Sequence, residues 1–175
     1  MNDRKKHESV KIIATVGVAL ALCLVAQLFK SAQFITGPLI NVIIIFTGLY
    51  SGLVAGLFVA VISPIMAYFF SPAPIMQALP QMMFVIMVGN VLIVLFSVLF
   101  KRKLILGLAI GVVTKVLAIW LLSSFVVIPI FGGGLAKPMI EAVRVTFSVN
   151  QLITSVIGAV IICLIPMRKL NLINE

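Results

Sequence analysis

Lys115 lies about eleven residues into an apolar run that opens at Leu104. At that depth a lysine stem cannot easily return its ammonium to water, and insertion scales put the cost at roughly 2.5 to 3.5 kcal/mol. Without an acidic partner such a group is suited to binding: it donates charge-assisted hydrogen bonds to a carboxylate, a phosphate or an electron-rich ring. Three readings are open from the residues alone. The ammonium bonds internally to backbone carbonyls or to Asn90, or it meets a ligand, or the register brings it near an interface. Gly107, Gly111 and Lys115 fall at i, i+4 and i+8, so a thin helix face suited to close packing leads up to the charge.

A second polar set follows. Glu141, Arg144, Ser148, Gln151, Ser155 and Gly158 are spaced 3, 4, 3, 4 and 3, which on a regular helix keeps them on one face. Small and hydroxylated residues at this spacing also serve ordinary helix packing, so Arg144 and Gln151 carry more of the argument than the serines. Met83, Met87 and Asn90 share a side of the preceding span but one, and methionines at helical spacing commonly fill cores. Asn90, Lys115 and Gln151 are at similar depths in their own spans. Their convergence predicts a pocket.

Catalysis is not expected. The acidic residues are Asp3, Glu8, Glu141 and Glu175, and they offer no carboxylate pair for a metal-bound diphosphate and no nucleophile with a base beside it. Gly132-Gly133-Gly134 lacks the lysine and Ser/Thr of a phosphate loop and reads as a flexible turn. No metal or cofactor is expected. Cys23 and Cys163 fall in apolar runs at different depths, which argues against a disulfide, and His7 stands alone in a charged head.

The elements that must position these groups follow from composition. The chain is 63% hydrophobic and 10% charged over 175 residues, with a mean hydropathy of +1.32. Soluble domains are near half apolar and about a quarter charged. In lipid the backbone must satisfy its own hydrogen bonds, and the unbroken apolar runs lack the alternation of a barrel. The expectation is an all-α membrane protein, one transmembrane domain over 1–175, with spans at about 11–29, 38–50, 52–70, 81–100, 104–128 and 138–165. The stretch from Pro38 to Phe70 holds no charge and is too long for one helix, so a turn is expected around Gly48 to Gly52. The first run is too long for a signal peptide and no A-x-A-like site follows it, so a retained span is expected.

The net charge of +9 is explained by span ends and anionic headgroups of a lipid bilayer, so no nucleic-acid partner is expected. Nine basic residues flank one set of ends (Arg4, Lys5, Lys6, Lys11, Lys101, Arg102, Lys103, Arg168, Lys169), against Lys30, Lys137 and Arg144 on the other. Both termini are therefore expected in the cytoplasm. In the first span Ala14, Gly17 and Ala21 form one small-residue face, and Ala19 and Cys23 a second pair. Such faces pack within a bundle or dock onto another membrane protein.

Taken together, the chain resembles the substrate-binding S component of energy-coupling factor (ECF) vitamin transporters. The resemblance covers nearly the whole chain: the basic head, the small-residue first span, Gly37 to Val42 opening a short span, Gly48-x-x-x-Gly52-x-x-x-Gly56, Gly89-Asn90 and Phe147 to Gln151. It implies six helices in a bacterial cell membrane and an outer pocket built from the first connection and the fourth, fifth and sixth spans. It implies a partner module of one coupling transmembrane protein and two ATPase subunits, docked on a face that maps to Ala14, Gly17 and Ala21. Lys115, Asn90, Gln151, Arg144 and Ser148 are then the candidate contacts to a small vitamin-like ligand. Rival readings are a non-catalytic structural subunit of a cell-envelope or morphogenesis complex, and a membrane subunit of a prenyl-lipid enzyme.

The charge bias generates a direct prediction: reporter fusions after Arg102 and at the C-terminus read cytoplasmic, and one after Pro74 reads external. An external C-terminus would overturn the six-span count.

Overall fold

The computed structural model describes residues 3–28 and 33–166. Among them there is no strand, and six helices are long and apolar enough to cross a membrane. The protein is an all-α six-helix bundle of the multi-pass membrane type. The first three spans are α1 (Asp3–Leu28), α2 (Gln33–Ser51) and α3 (Leu53–Phe70), and a short helix α4 (Pro74–Ala78) leads to the fourth, α5 (Met82–Leu99). The fifth span is α6 (Leu104–Leu121), continued through π-type turns over Leu122–Val127 into α7 (Ile128–Phe131). The sixth is α8 (Lys137–Val145), π-type turns over Thr146–Asn150, and α9 (Gln151–Leu164).

The helix ends lie within a few residues of the expected span ends except at two prolines and at the start of the first span. Pro38 does not open the second span but lies inside α2, and Pro129 does not stop the fifth, which runs on to Phe131. Proline fits the first turn of a helix, where its missing N–H has no partner to lose. Pro129 takes that place in α7, directly after the wide turns that already interrupt the ladder. The first span begins earlier than expected, at Asp3. The basic tail after Pro166 and the connection at 29–32, with Lys30, lie outside the described residues.

The expected break in the charge-free stretch is a single residue. Gly52 stands between α2 and α3 with φ of 97°, a conformation that costs glycine little and other residues much. Its amide donates to the Gly48 carbonyl, and its carbonyl accepts from Gly56. The two helices fold back so closely that a Cβ on Gly56 would stand 2.5 Å from Gly48 Cα. Near this end the Lys11 ammonium lies 4.6 Å from the Tyr50 ring centroid, bringing the early part of α1 beside the end of α2.

One core cluster fills this half of the bundle, with Cys23, Ile44, Ile45, Val59, Ile93, Val94 and Ile162 fully or almost fully buried. A second, around Leu79, Met82, Ile119, Val143 and Phe147, fills the half toward α4 and α8. Outward-facing side chains such as Ile13, Val54, Phe69, Ile105 and Leu164 are apolar and exposed. In water that surface would aggregate, whereas lipid tails match it.

The close crossing can be tested with two glycines. Gly56→Ala must displace the α2 backbone or Val94 and is expected to destabilise the fold by about 1–3 kcal/mol. Gly133→Ala, where a Cβ meets nothing within 4 Å, should leave the melting curve of the detergent-purified protein unchanged.

Candidate functional site

Lys115 is 2% exposed, with its stem packed across Gly89 of α5, where a Cβ would lie 3.1 Å from Lys115 Cγ. Its ammonium donates to Asn41 Oδ1 at 2.6 Å and to Asn90 Oδ1 at 2.9 Å. An ammonium has three donors and no acceptor. Both asparagines must therefore present oxygen to it and turn their NH₂ groups away, and each NH₂ finds a backbone carbonyl. Asn41 Nδ2 donates to the Thr154 carbonyl at 3.2 Å and Asn90 Nδ2 to the Ala60 carbonyl at 3.4 Å.

The Ala60 carbonyl is free because Pro64, four residues on, has no N–H to give it. Asn41 in turn has space because Gly158 faces it: a Cβ there would lie 2.8 Å from Asn41 Cβ. One lysine and two asparagines thus join the second, third, fourth, fifth and sixth spans. The first is joined separately, by Gln27 Nε2 donating to the Ser63 carbonyl at 2.9 Å.

Above this cluster is a cavity of about 840 Å³, within the size range of small-molecule sites. Lys115, Asn41, Asn90, Gln27, Ser63 and Gln151 supply its polar wall; Ile40, Pro64, Ile86 and Phe147 are among its apolar lining. Ser71 to Met76, from the connection holding α4, also line it. The cavity therefore lies toward the end of the bundle opposite the Gly52 turn. Two of the three Lys115 donors are taken by asparagine, which leaves one N–H for an occupant.

The structure brings Asn90, Lys115 and Gln151 to one cavity, as their depths predicted. It does not bring Arg144 and Ser148 there. Arg144 has a half-exposed side chain 3.8 Å from Glu141, and Ser148 Oγ donates to the Arg144 carbonyl; neither lines the cavity. The reason is the π-type segment Thr146–Asn150, which inserts extra chain into the α-helical repeat. Each added residue turns the following face by about 100°. The regular spacing from Glu141 to Gly158 is broken in the middle, and the lining residues before and within the break are Met139, Ala142, Thr146 and Phe147.

Sequence reasoning missed the first three spans as walls. Asn41 was visible as an asparagine in a charge-free helix, and Gln27 as the last polar residue of an apolar one, but neither has a periodic polar partner on its own helix. Of the small-residue set, Ala14, Gly17 and Ala21 are exposed on α1, and a Cβ at Gly17 would meet nothing within 4 Å. The second pair, Ala19 and Cys23, is buried in the core. No family model, curated sequence or solved structure matches the chain.

The network gives a stability prediction. Lys115→Met leaves two buried asparagine oxygens unpaired and is expected to cost about 1–3 kcal/mol. The triple variant Asn41→Leu, Asn90→Leu, Lys115→Met removes the orphaned groups as well and should recover part of that loss in melting curves. A single variant as stable as the wild type would show that the ammonium is not compensating its own burial.

Proposed function

We propose that the protein is the substrate-binding subunit of an ECF-type importer for a small water-soluble vitamin or cofactor precursor. It sits in a bacterial cell membrane with both termini in the cytoplasm and has no catalytic role of its own. Transport energy comes from a coupling membrane protein and two ATPase subunits. The observation that carries this reading is the buried Lys115 ammonium at a cavity of about 840 Å³, with one donor left uncommitted by its two asparagine partners. With Arg144 away from the cavity, Lys115 is the cation among the described lining residues. A ligand carrying one carboxylate or one strong neutral acceptor fits better than a doubly charged one.

The exposed face of Ala14, Gly17 and Ala21 supports docking over internal packing, since nothing in the bundle covers it. The structural-subunit reading is favoured by the reach of the Lys115 network, which joins five spans whether or not anything binds.

The experiment is mass spectrometry of small molecules retained by the gently purified protein, followed by titration of the retained compound. Lys115→Met is expected to weaken its binding about 10- to 150-fold. Gly17→Leu with Ala21→Leu should abolish uptake in cells carrying the ATPase module and leave binding intact. A destabilised Lys115→Met protein with unchanged affinity would favour the structural subunit instead.

A further inference from the structure

Among the described residues, four buried side-chain atoms lack a hydrogen-bond partner: Gln27 Oε1, Ser63 Oγ, Gln81 Oε1 and Ser155 Oγ. Two of the four sit side by side on the cavity wall. Gln27 and Ser63 are 7% and 1% exposed, both line the cavity, and the Gln27 Nε2 bond to the Ser63 carbonyl at 2.9 Å holds them together. That bond uses the donor end of the glutamine on the backbone and so fixes its acceptor end. Burying such atoms unpaired is unfavourable. The pair is left as one acceptor, Gln27 Oε1, beside one hydroxyl, Ser63 Oγ, which donates or accepts by rotation.

The pair and the Lys115 cluster share α3 as a common anchor. Asn90, bonded to the ammonium, donates to the carbonyl of Ala60, and Gln27 donates to that of Ser63. Three residues of helix separate these anchors by about 4.5 Å along the axis, so the two polar sets meet α3 within one turn of each other.

On the binding-subunit reading, on which this inference rests, we infer that Gln27 and Ser63 form a second subsite. It reads the cis-amide edge of a compact heterocycle, a lactam, imide or cyclic urea. The ring N–H donates to Gln27 Oε1, the adjacent carbonyl accepts from the Ser63 hydroxyl, and an acceptor or carboxylate on the far side of the ring meets Lys115. The ligand class is thus a planar, neutral or singly anionic ring with a free N–H beside a carbonyl. A site with unpaired polar atoms discriminates against a ligand that lacks the matching group, because those atoms then stay unpaired.

The test uses the full chain in lipid nanodiscs and two probes: 6-carboxyuracil, with ring N–H groups and a carboxylate, and its 1,3-dimethyl derivative, which keeps only the carboxylate and carbonyls. Titration should show the first binding about 5- to 10-fold tighter. Ser63→Ala breaks no hydrogen bond in the empty protein and should keep its melting point while narrowing that preference. Gln27→Leu should abolish the preference, and Lys115→Met should weaken both probes alike. Equal affinity for the two probes in the wild type, or a preference unmoved by Ser63→Ala and Gln27→Leu, overturns the subsite; an ordered water satisfying the two atoms would give that result. If both probes bind equally and Lys115→Met weakens both, the amide-edge subsite fails and the binding-subunit reading stands. If neither binds and no compound is retained on purification, both fail.

Discussion

A charge placed in hydrocarbon must have its donors met on the spot, because no solvent can reorganise around it. Lys115 satisfies that demand with two asparagine oxygens, and the demand then propagates. Each asparagine, with its oxygen fixed inward, needs a carbonyl for its NH₂. Helical carbonyls are normally occupied, so one is freed by Pro64, and the other, at Thr154, takes Asn41 in addition to its helical role. Space for the lysine stem and for Asn41 comes from glycines on facing helices, Gly89 and Gly158. The positions of two asparagines, one proline and two glycines on four helices are all consequences of where a single ammonium sits.

The same reasoning shows why much of the bundle was legible in the sequence. Six apolar runs, a charge-free stretch too long for one helix and glycines every fourth residue around Gly52 are one-dimensional signals of crossing, turning and close approach. Depth was legible too, since counting residues from each span end placed Asn90, Lys115 and Gln151 at one level. What was not legible was azimuth, the direction each side chain faces around its helix. Arg144 and Ser148 were assigned to the cavity by assuming an unbroken 3.6-residue repeat, and the wide turns at Thr146–Asn150 invalidate it. Nothing in Thr-Phe-Ser-Val-Asn announces such turns. Asn41 and Gln27 were overlooked for a related reason: an isolated polar residue has no pattern, and its importance lies in contacts 113 and 36 residues away along the chain.

The cavity and the core also divide the labour of the fold. Around Ile44, Ile45, Ile93 and Val94 the helices interlock with fully buried aliphatic side chains. Toward α4 and α8 the second core cluster packs beside a cavity lined by prolines, polar side chains and two methionines, Met76 and Met139. Thioether side chains adapt their shape readily, which suits a wall that must accept an occupant. Both sets of wide turns, at Leu122–Val127 and Thr146–Asn150, belong to this half.

With Gly52 as the sole residue between them, α2 and α3 have no slack in their connection. Neither can slide or rotate past the other without breaking the Gly48 to Gly52 and Gly52 to Gly56 hydrogen bonds or driving two backbones into contact. The pair therefore moves as one stiff hairpin. Asn41 on one arm and Ala60 and Ser63 on the other keep a fixed separation, like marks on a ruler. Any breathing of the cavity falls to the elements that hinge elsewhere: the proline-rich connection around α4, and the two spans whose helical ladders are already interrupted.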